Sequence, residues 1–182
     1  MNKRILYIAL MVICSLSAKA QTMADADAMY KQFMLMRADT SFTKAQIFAK
    51  ALECSKAYKA ILIATPSGAD GFDKCKSTLT SLFPFLKGGA SNSSQAHNDS
   101  LALVFAKTAI GVAMMKEMQN EGLRKDNYYP QLVYFVAARC YNAEQYDDAI
   151  VYLKEYMDVT DVSQHPRVLQ FLDGGNPYTY FF

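Results

Sequence analysis

Apolar residues recur at steps of three and four along most of this chain, and that spacing constrains its fold more than any other feature. Such spacing places apolar side chains on one face of a helix, whereas a half-buried strand requires strict alternation. The clearest stripe lies in segment 43–64 and consists of Ile47, Ala51, Cys54, Tyr58, Ile61 and Leu62. No segment has a convincing strand period, so the sequence predicts an all-α fold.

Start and stop signals give the predicted helix boundaries. Thr43 and Gln46 match the capping-box pattern at the start of segment 43–64. Pro84 is expected to end the helix that precedes it, and the Gly- and Ser-rich segment 87–94 is expected to be a loop. The other predicted helices cover 24–38, about 70–83, about 95–120, the two halves of 128–158 and a short stretch after Pro166.

The same spacing assigns the side chains that face the core. In 95–120 the predicted stripe is Leu101, Val104, Phe105, Thr108, Val112 and Met115. In the second half of 128–158 it is Tyr146, Ala149, Ile150, Leu153 and Met157. Cys54, Cys75 and Cys140 also fall at apolar positions and are expected to be buried free thiols, with a Cys54–Cys75 disulfide as the alternative.

Residues 1–20 have the three-part pattern of a secretory signal peptide. Lys3 and Arg4 precede an uncharged apolar run, and Ala18-Lys19-Ala20 fits the small-x-small cleavage rule. The pattern predicts export to the periplasm or cell surface of a Gram-negative bacterium, with no stable membrane span after cleavage. An uncleaved membrane anchor is the alternative.

Cleavage after residue 20 removes three of the 19 basic residues and leaves 16 of them against 17 acidic residues in 21–182. The processed chain is therefore nearly neutral. Nucleic-acid binding usually requires a basic stripe, so no nucleic-acid partner is expected.

Residues 130–163 resemble a tetratricopeptide repeat, a helical hairpin of 34 residues. Ala137 and Ala149 occupy the family's small positions, Tyr146 its aromatic position beside the turn, and Leu153 its large apolar position. The departures from the pattern are Cys140, Tyr156 and Asp161. The resemblance implies antiparallel hairpins stacked as a short right-handed solenoid over 21–182, and a generic helical bundle is the alternative.

The resemblance also implies a binding surface on the first helix of the repeat. The groove-facing positions would be Gln131, Tyr134, Ala138, Tyr141 and Asn142. Tyrosine rings offer large contact area at low entropic cost, so a protein or peptide partner is expected. The alternative is that Tyr134 and Tyr141 pack against the preceding helix.

The sequence contains no residue pattern that predicts catalysis, a metal or a cofactor. His97 and His165 lie in predicted turns without metal-ligand spacing, and no phosphate-binding or nucleophile motif is present. The expected function is a non-enzymatic interaction module. The alternatives are an accessory segment of a larger exported enzyme and a binder of a small molecule such as a glycan.

Overall fold

The computed structural model describes residues 22–161, which form six α-helices and two 3-10 helices and contain no strand. This confirms the all-α prediction for the described residues. The α-helices are α1 (Met23–Ala38), α2 (Lys44–Ala64), α3 (Phe72–Gln95), α4 (Asp99–Ala113), α5 (Tyr129–Asn142) and α6 (Tyr146–Val159). The 3-10 helices, Lys116–Glu121 and Leu123–Lys125, connect α4 to α5. The predicted signal peptide, His165 and the helix after Pro166 lie outside the described residues.

Consecutive helices pack against each other from α1 to α6, and α2 also contacts α4. One hydrophobic cluster extends from Ala26 in α1 to Ala149 in α6. Its largest fully buried side chains include Tyr58, Leu62, Leu79, Leu86, Ile110, Met118 and Tyr129. Removing this apolar surface from water supplies the main force that holds the helices together.

The predicted start of α2 is confirmed. The Thr43 side chain accepts a hydrogen bond from the backbone N–H of Gln46, whose side chain accepts one from the Thr43 backbone N–H. This reciprocal cap satisfies two of the backbone donors that a helix start leaves without partners. The predicted stripe on α2 is also confirmed. Ala51, Cys54, Tyr58 and Leu62 are buried, and Ile47 and Ile61 are partly buried against the core.

The prediction that Pro84 ends α3 is wrong, as is the prediction of a loop at 87–94. The helix continues through both to Gln95. Proline removes one helix hydrogen bond, but Phe83 and Leu86 on either side of it are buried in the main cluster. Their burial favours a continuous helix over the break that local preference predicts.

Two glycines of the supposed loop are required by packing. An added Cβ at Gly88 would lie 2.9 Å from the Phe48 ring, and one at Gly89 would lie 2.5 Å from the Phe105 ring. Both distances are too short for carbon atoms in contact. The glycines therefore allow α3 to approach α2 and α4 closely.

Helix α4 is shorter than the predicted segment 95–120. It begins after Asn98, whose side chain accepts a hydrogen bond from the Leu101 N–H at 3.1 Å, and it ends at Ala113. The predicted Phe105 and Val112 are buried, whereas the predicted Val104 is exposed. The buried face also includes Ala102, Ala106 and Ala109. The predicted stripe was therefore correct in part, and it omitted the small apolar residues.

Cys54, Cys75 and Cys140 are free and buried, as predicted. Burial raises the pKa of the Cys54 thiol to about 11. His97 is exposed in the turn between α3 and α4, which agrees with its predicted place in a turn. None of the helices in 22–161 combines the length and the apolar character that a membrane span requires.

Candidate functional site

Helices α5 and α6 form an antiparallel hairpin that contains the predicted binding residues. The tight turn between them places Glu144 in the left-handed region at φ +60°, and the Gln145 N–H donates to the Cys140 carbonyl at 2.9 Å. This bond satisfies one carbonyl that the end of α5 leaves open. Pro130 lies in the first turn of α5, where its missing N–H costs no helix bond.

Small residues set the distance between the two helices. Ala137 on α5 and Ala149 on α6 are both buried, and Ala137 packs in one cluster with the buried Leu153. Alanine lets two helix backbones approach closely, and the leucine fills the space beside it. The positions that the tetratricopeptide pattern assigns to close contact therefore lie inside this hairpin.

The five predicted groove residues share one face of α5, but they differ in exposure. Gln131 and Asn142 at the two ends of this face are exposed, whereas Tyr134, Ala138 and Tyr141 between them are half-buried. A face with exposed amides at its ends and tyrosine rings at its centre offers both hydrogen-bonding groups and apolar area.

The two tyrosine rings of this face are held by α6. Tyr134 meets Tyr156 edge to face with 5.5 Å between ring centroids, and Tyr141 meets Tyr146 at 5.4 Å. Edge-to-face pairs at such distances are favourable beyond the area that they bury. We call Tyr134, Tyr141, Tyr146 and Tyr156 the tyrosine cluster.

Gln131 is fixed at the start of α5. With its amide nitrogen turned toward the backbone, the side chain donates to the carbonyls of Asn127 and Tyr128 at 2.8 and 3.1 Å.

At the open end of the hairpin, a charged network links α6 to the second 3-10 helix. Glu155 of α6 is 5% exposed, and the Arg124 guanidinium donates to its two carboxylate oxygens at 2.7 Å each. The Tyr129 hydroxyl donates to the same carboxylate at 2.8 Å. Burial and the bond to Glu155 raise the pKa of Tyr129, and the bond to Glu155 raises that of Arg124.

Sequence reasoning missed this network. Its signal was a glutamate at position 155 among the apolar residues Tyr152, Tyr156 and Val159, which recur at helical spacing. A carboxylate on such a face predicts a buried partner. The spacing does not identify Arg124, which reaches Glu155 through the tertiary fold from 31 positions away.

Two residues of α6 that were predicted to face inward are exposed. Tyr146 is 52% exposed and Ile150 is 38% exposed, whereas Ala149 and Leu153 are buried as predicted. Helix α5 packs on one side of α6 and buries only a narrow stripe of its surface. Tyr146 and Ile150 lie at the edge of the stripe.

Helix α4 contacts the opposite edge of α6. Lys107 lies 3.9 Å from Asp148, and its ammonium lies 5.9 Å from the centre of the Tyr152 ring. Asp147 and Asp148 occupy the first turn of α6, where negative charge favours the helix dipole. The helix dipole therefore accounts for the position of both aspartates.

Residues 22–161 contain no group of three or more His, Cys, Asp or Glu side chains that could hold a metal ion. Every buried side-chain nitrogen and oxygen atom in this part of the chain has a hydrogen-bond partner. The candidate site consists of the tyrosine cluster and the amides beside it.

Comparison with protein-family models, with curated proteins and with solved structures finds no match to this chain.

Proposed function

We propose that this chain is an exported, non-enzymatic interaction module that binds a protein or peptide through one face of α5. The observation that carries the proposal is the pair Tyr134 and Tyr141, which are half-buried, held by rings of α6 and flanked by the exposed Gln131 and Asn142. Rings fixed in advance lose little freedom on binding, so their contact area converts efficiently into affinity.

The tetratricopeptide-like character of the hairpin supports this use of α5. Ala137, Ala149 and Leu153 lie buried between α5 and α6, at the positions where the family has its small and large apolar residues. Successive packing from α1 to α6 and the contact between α2 and α4 fit hairpins that stack on one another. In such stacks the first helix of each hairpin contributes to a continuous surface that binds partners.

The predicted signal peptide in 1–20 gives the proposed location, the periplasm or the cell surface. Its test is fractionation of cells that express the whole chain, with sequencing of the mature N-terminus. Export with cleavage after Ala20 supports this part of the proposal, and retention of an intact leader in the cytoplasm contradicts it.

Site-specific photo-crosslinking tests the binding surface. The crosslinking amino acid replaces the exposed Gln131 or Asn142 in separate variants, and Val151, which is 51% exposed on α6, serves as the control position. We expect one recurrent product from both α5 positions and none from Val151. The same product from all three positions would indicate adventitious contact and would contradict the proposal.

The double variant Tyr134→Ala and Tyr141→Ala should abolish that crosslink from Asn142. Loss of two aromatic contacts typically weakens binding by roughly tenfold or more. Tyr152→Ala is the matched control, because Tyr152 is a half-buried tyrosine of α6 beside Lys107 and outside the predicted groove. Circular dichroism and urea titration of all variants separate loss of binding from loss of the fold.

A further inference from the structure

Helix α6 has an apolar edge that no described helix covers. Tyr146 and Ile150 are exposed one helical turn apart, and the half-buried Met157 continues the line toward the end of the helix. Residues four and seven positions apart on an α-helix lie on the same side, so these three side chains form one strip about 16 Å long. We call it the α6 strip.

The α6 strip is also continuous with buried structure. Met157 packs against the Ala137 and Leu153 cluster, and the Tyr146 ring contacts Tyr141. Each helix from α2 to α5 has a neighbour in chain order on both sides, whereas among the described helices α6 packs extensively only against α5. The α6 strip therefore lies on the side of α6 that a further helix packed in chain order would contact.

The chain itself supplies an occupant for this position. Residues 162–182 follow directly after Asp161, two positions beyond the end of α6 at Val159. Their apolar residues are Val162, Val168, Leu169, Phe171, Leu172, Tyr178, Tyr180, Phe181 and Phe182. Arg167 and Asp173 are their only Lys, Arg, Asp or Glu residues, so the segment carries little charge that a contact with the strip would desolvate.

Length and spacing are also compatible with a return along α6. The strip is about 16 Å long at 1.5 Å per residue, and 21 residues span up to about 70 Å when extended. In the short helix predicted after Pro166, Val168, Leu169 and Leu172 fall on one side, because Leu172 follows Leu169 by three positions and Val168 by four.

We propose that residues 162–182 dock on the α6 strip of the same molecule through their apolar side chains. This proposal goes beyond the partner-binding function and does not depend on it.

The absence of tryptophan from the chain permits a specific test. Ile150→Trp places a single tryptophan on the strip of the full chain, and Val151→Trp places one on the same helix but outside it. We expect the tryptophan at 150 to have blue-shifted emission and to be protected from acrylamide, whereas that at 151 is quenched several-fold more strongly.

Two changes should remove the protection at position 150 and leave position 151 unaffected. One is truncation after Asp161, and the other is Leu169→Asp with Leu172→Asp in the full chain, which retains every residue of 22–161. A synthetic peptide of residues 162–182 added to the truncated protein should restore the protection. If truncation unfolds the protein, the aspartate variant supplies the comparison, with circular dichroism as the check on helix content.

Two results would overturn the proposal. One is equal quenching at position 150 in the full chain, the truncated chain and the aspartate variant, with helix content unchanged. The other is protection that increases with protein concentration, because it would assign the strip to contact with a second copy.

Discussion

Two regions of the molecule share one arrangement, in which a buried tyrosine and a basic side chain both donate to the same carboxylate. They differ in how far that carboxylate is exposed to solvent. Where α1, α2 and α3 meet, the Tyr58 hydroxyl and the Lys74 ammonium each donate to Asp27 at 2.6 Å. At the α5–α6 hairpin, Tyr129 and Arg124 hold Glu155. The side chain of Asp27 is 36% exposed, whereas that of Glu155 is 5% exposed.

The difference in exposure determines whether solvent can replace a partner that each carboxylate loses. Water reaches Asp27, so a solvent molecule replaces a missing Lys74 at little cost. Glu155 has almost no contact with solvent, and its hydrogen-bond donors within 22–161 are Arg124 and Tyr129. The planar guanidinium also matches both carboxylate oxygens at once, which an ammonium cannot do. The two arrangements look alike in connectivity and should behave differently when broken.

The largest effect is expected from removal of the basic residue. Arg124→Met should lower the free energy of unfolding by about 3 kcal/mol, because it leaves a buried carboxylate without its cation. Lys74→Met is the matched control and should cost less than about 1 kcal/mol, since Lys74 and Asp27 are both substantially exposed. Urea unfolding of both variants measures the comparison. Equal losses would mean that burial does not distinguish the two networks.

Removal of the tyrosine hydroxyl should lower the free energy of unfolding by less than Arg124→Met does. The loss should again be larger at Glu155 than at Asp27. Tyr129→Phe should cost about 2 kcal/mol, because a hydrogen bond to a buried charged group is lost. Tyr58→Phe should cost about 1 kcal/mol, because Asp27 retains Lys74 and solvent. The same urea titrations apply, and a larger loss for Tyr58→Phe would reverse the assignment of which carboxylate depends on its donor.

At alkaline pH the two regions should become similar, because both tyrosine rings are fully buried. Burial and the neighbouring carboxylate raise the pKa of Tyr58 and of Tyr129 above the ordinary value. Above about pH 10 the unfolded chain loses these protons first, so unfolding becomes more favourable as pH rises. Each tyrosine should contribute about 1.4 kcal/mol per pH unit to this loss.

The two Tyr→Phe variants isolate that contribution. Each should show a shallower loss of unfolding free energy above about pH 10 than the parent chain does. Cys54 and Cys75 have raised pKa values and also destabilise the fold at high pH, but they are unchanged in both variants and cancel in the comparison. Parallel curves for parent and variants would show that the tyrosines ionise equally in the folded and unfolded chain.

The two networks also show where sequence reasoning succeeded. Tyr58 was predicted to face the core because it belongs to a stripe of apolar residues, and the Thr43 cap was predicted from residues three positions apart. Both inferences use contacts within one helix, whose geometry is the same in every protein. The helical class, the stripe on α2 and the turn before α6 follow from such local rules.

The errors arose where contacts between helices decide the structure. Gly88 and Gly89 appear in sequence as loop formers, but the rings of Phe48 and Phe105 explain why glycine is needed inside α3. Local preference contains no information about which rings a helix will meet. The pairing of Glu155 with Arg124 was missed for the same reason, since only the fold brings these positions together.

The smallest expected effect belongs to the exposed carboxylate itself. Hydrogen bonds from Lys74 and Tyr58 lower the pKa of Asp27 below its ordinary value. Its stabilisation is therefore complete above the ordinary aspartate pKa of about 3.9 and is lost as pH falls through the lower value of the folded protein.

Asp27→Asn should reduce the free energy of unfolding by less than about 1 kcal/mol near neutral pH, because solvent screens a half-exposed pair. The difference from the parent chain should disappear as the pH falls below the folded-state pKa of Asp27, where the parent carboxyl is also neutral. Asp70→Asn, in the exposed turn before α3, is the control for a general change in net charge. A difference that persists unchanged at acidic pH would mean that Asp27 acts through the shape of its side chain, and the contrast with Glu155 would then concern packing rather than the hydration of a charge.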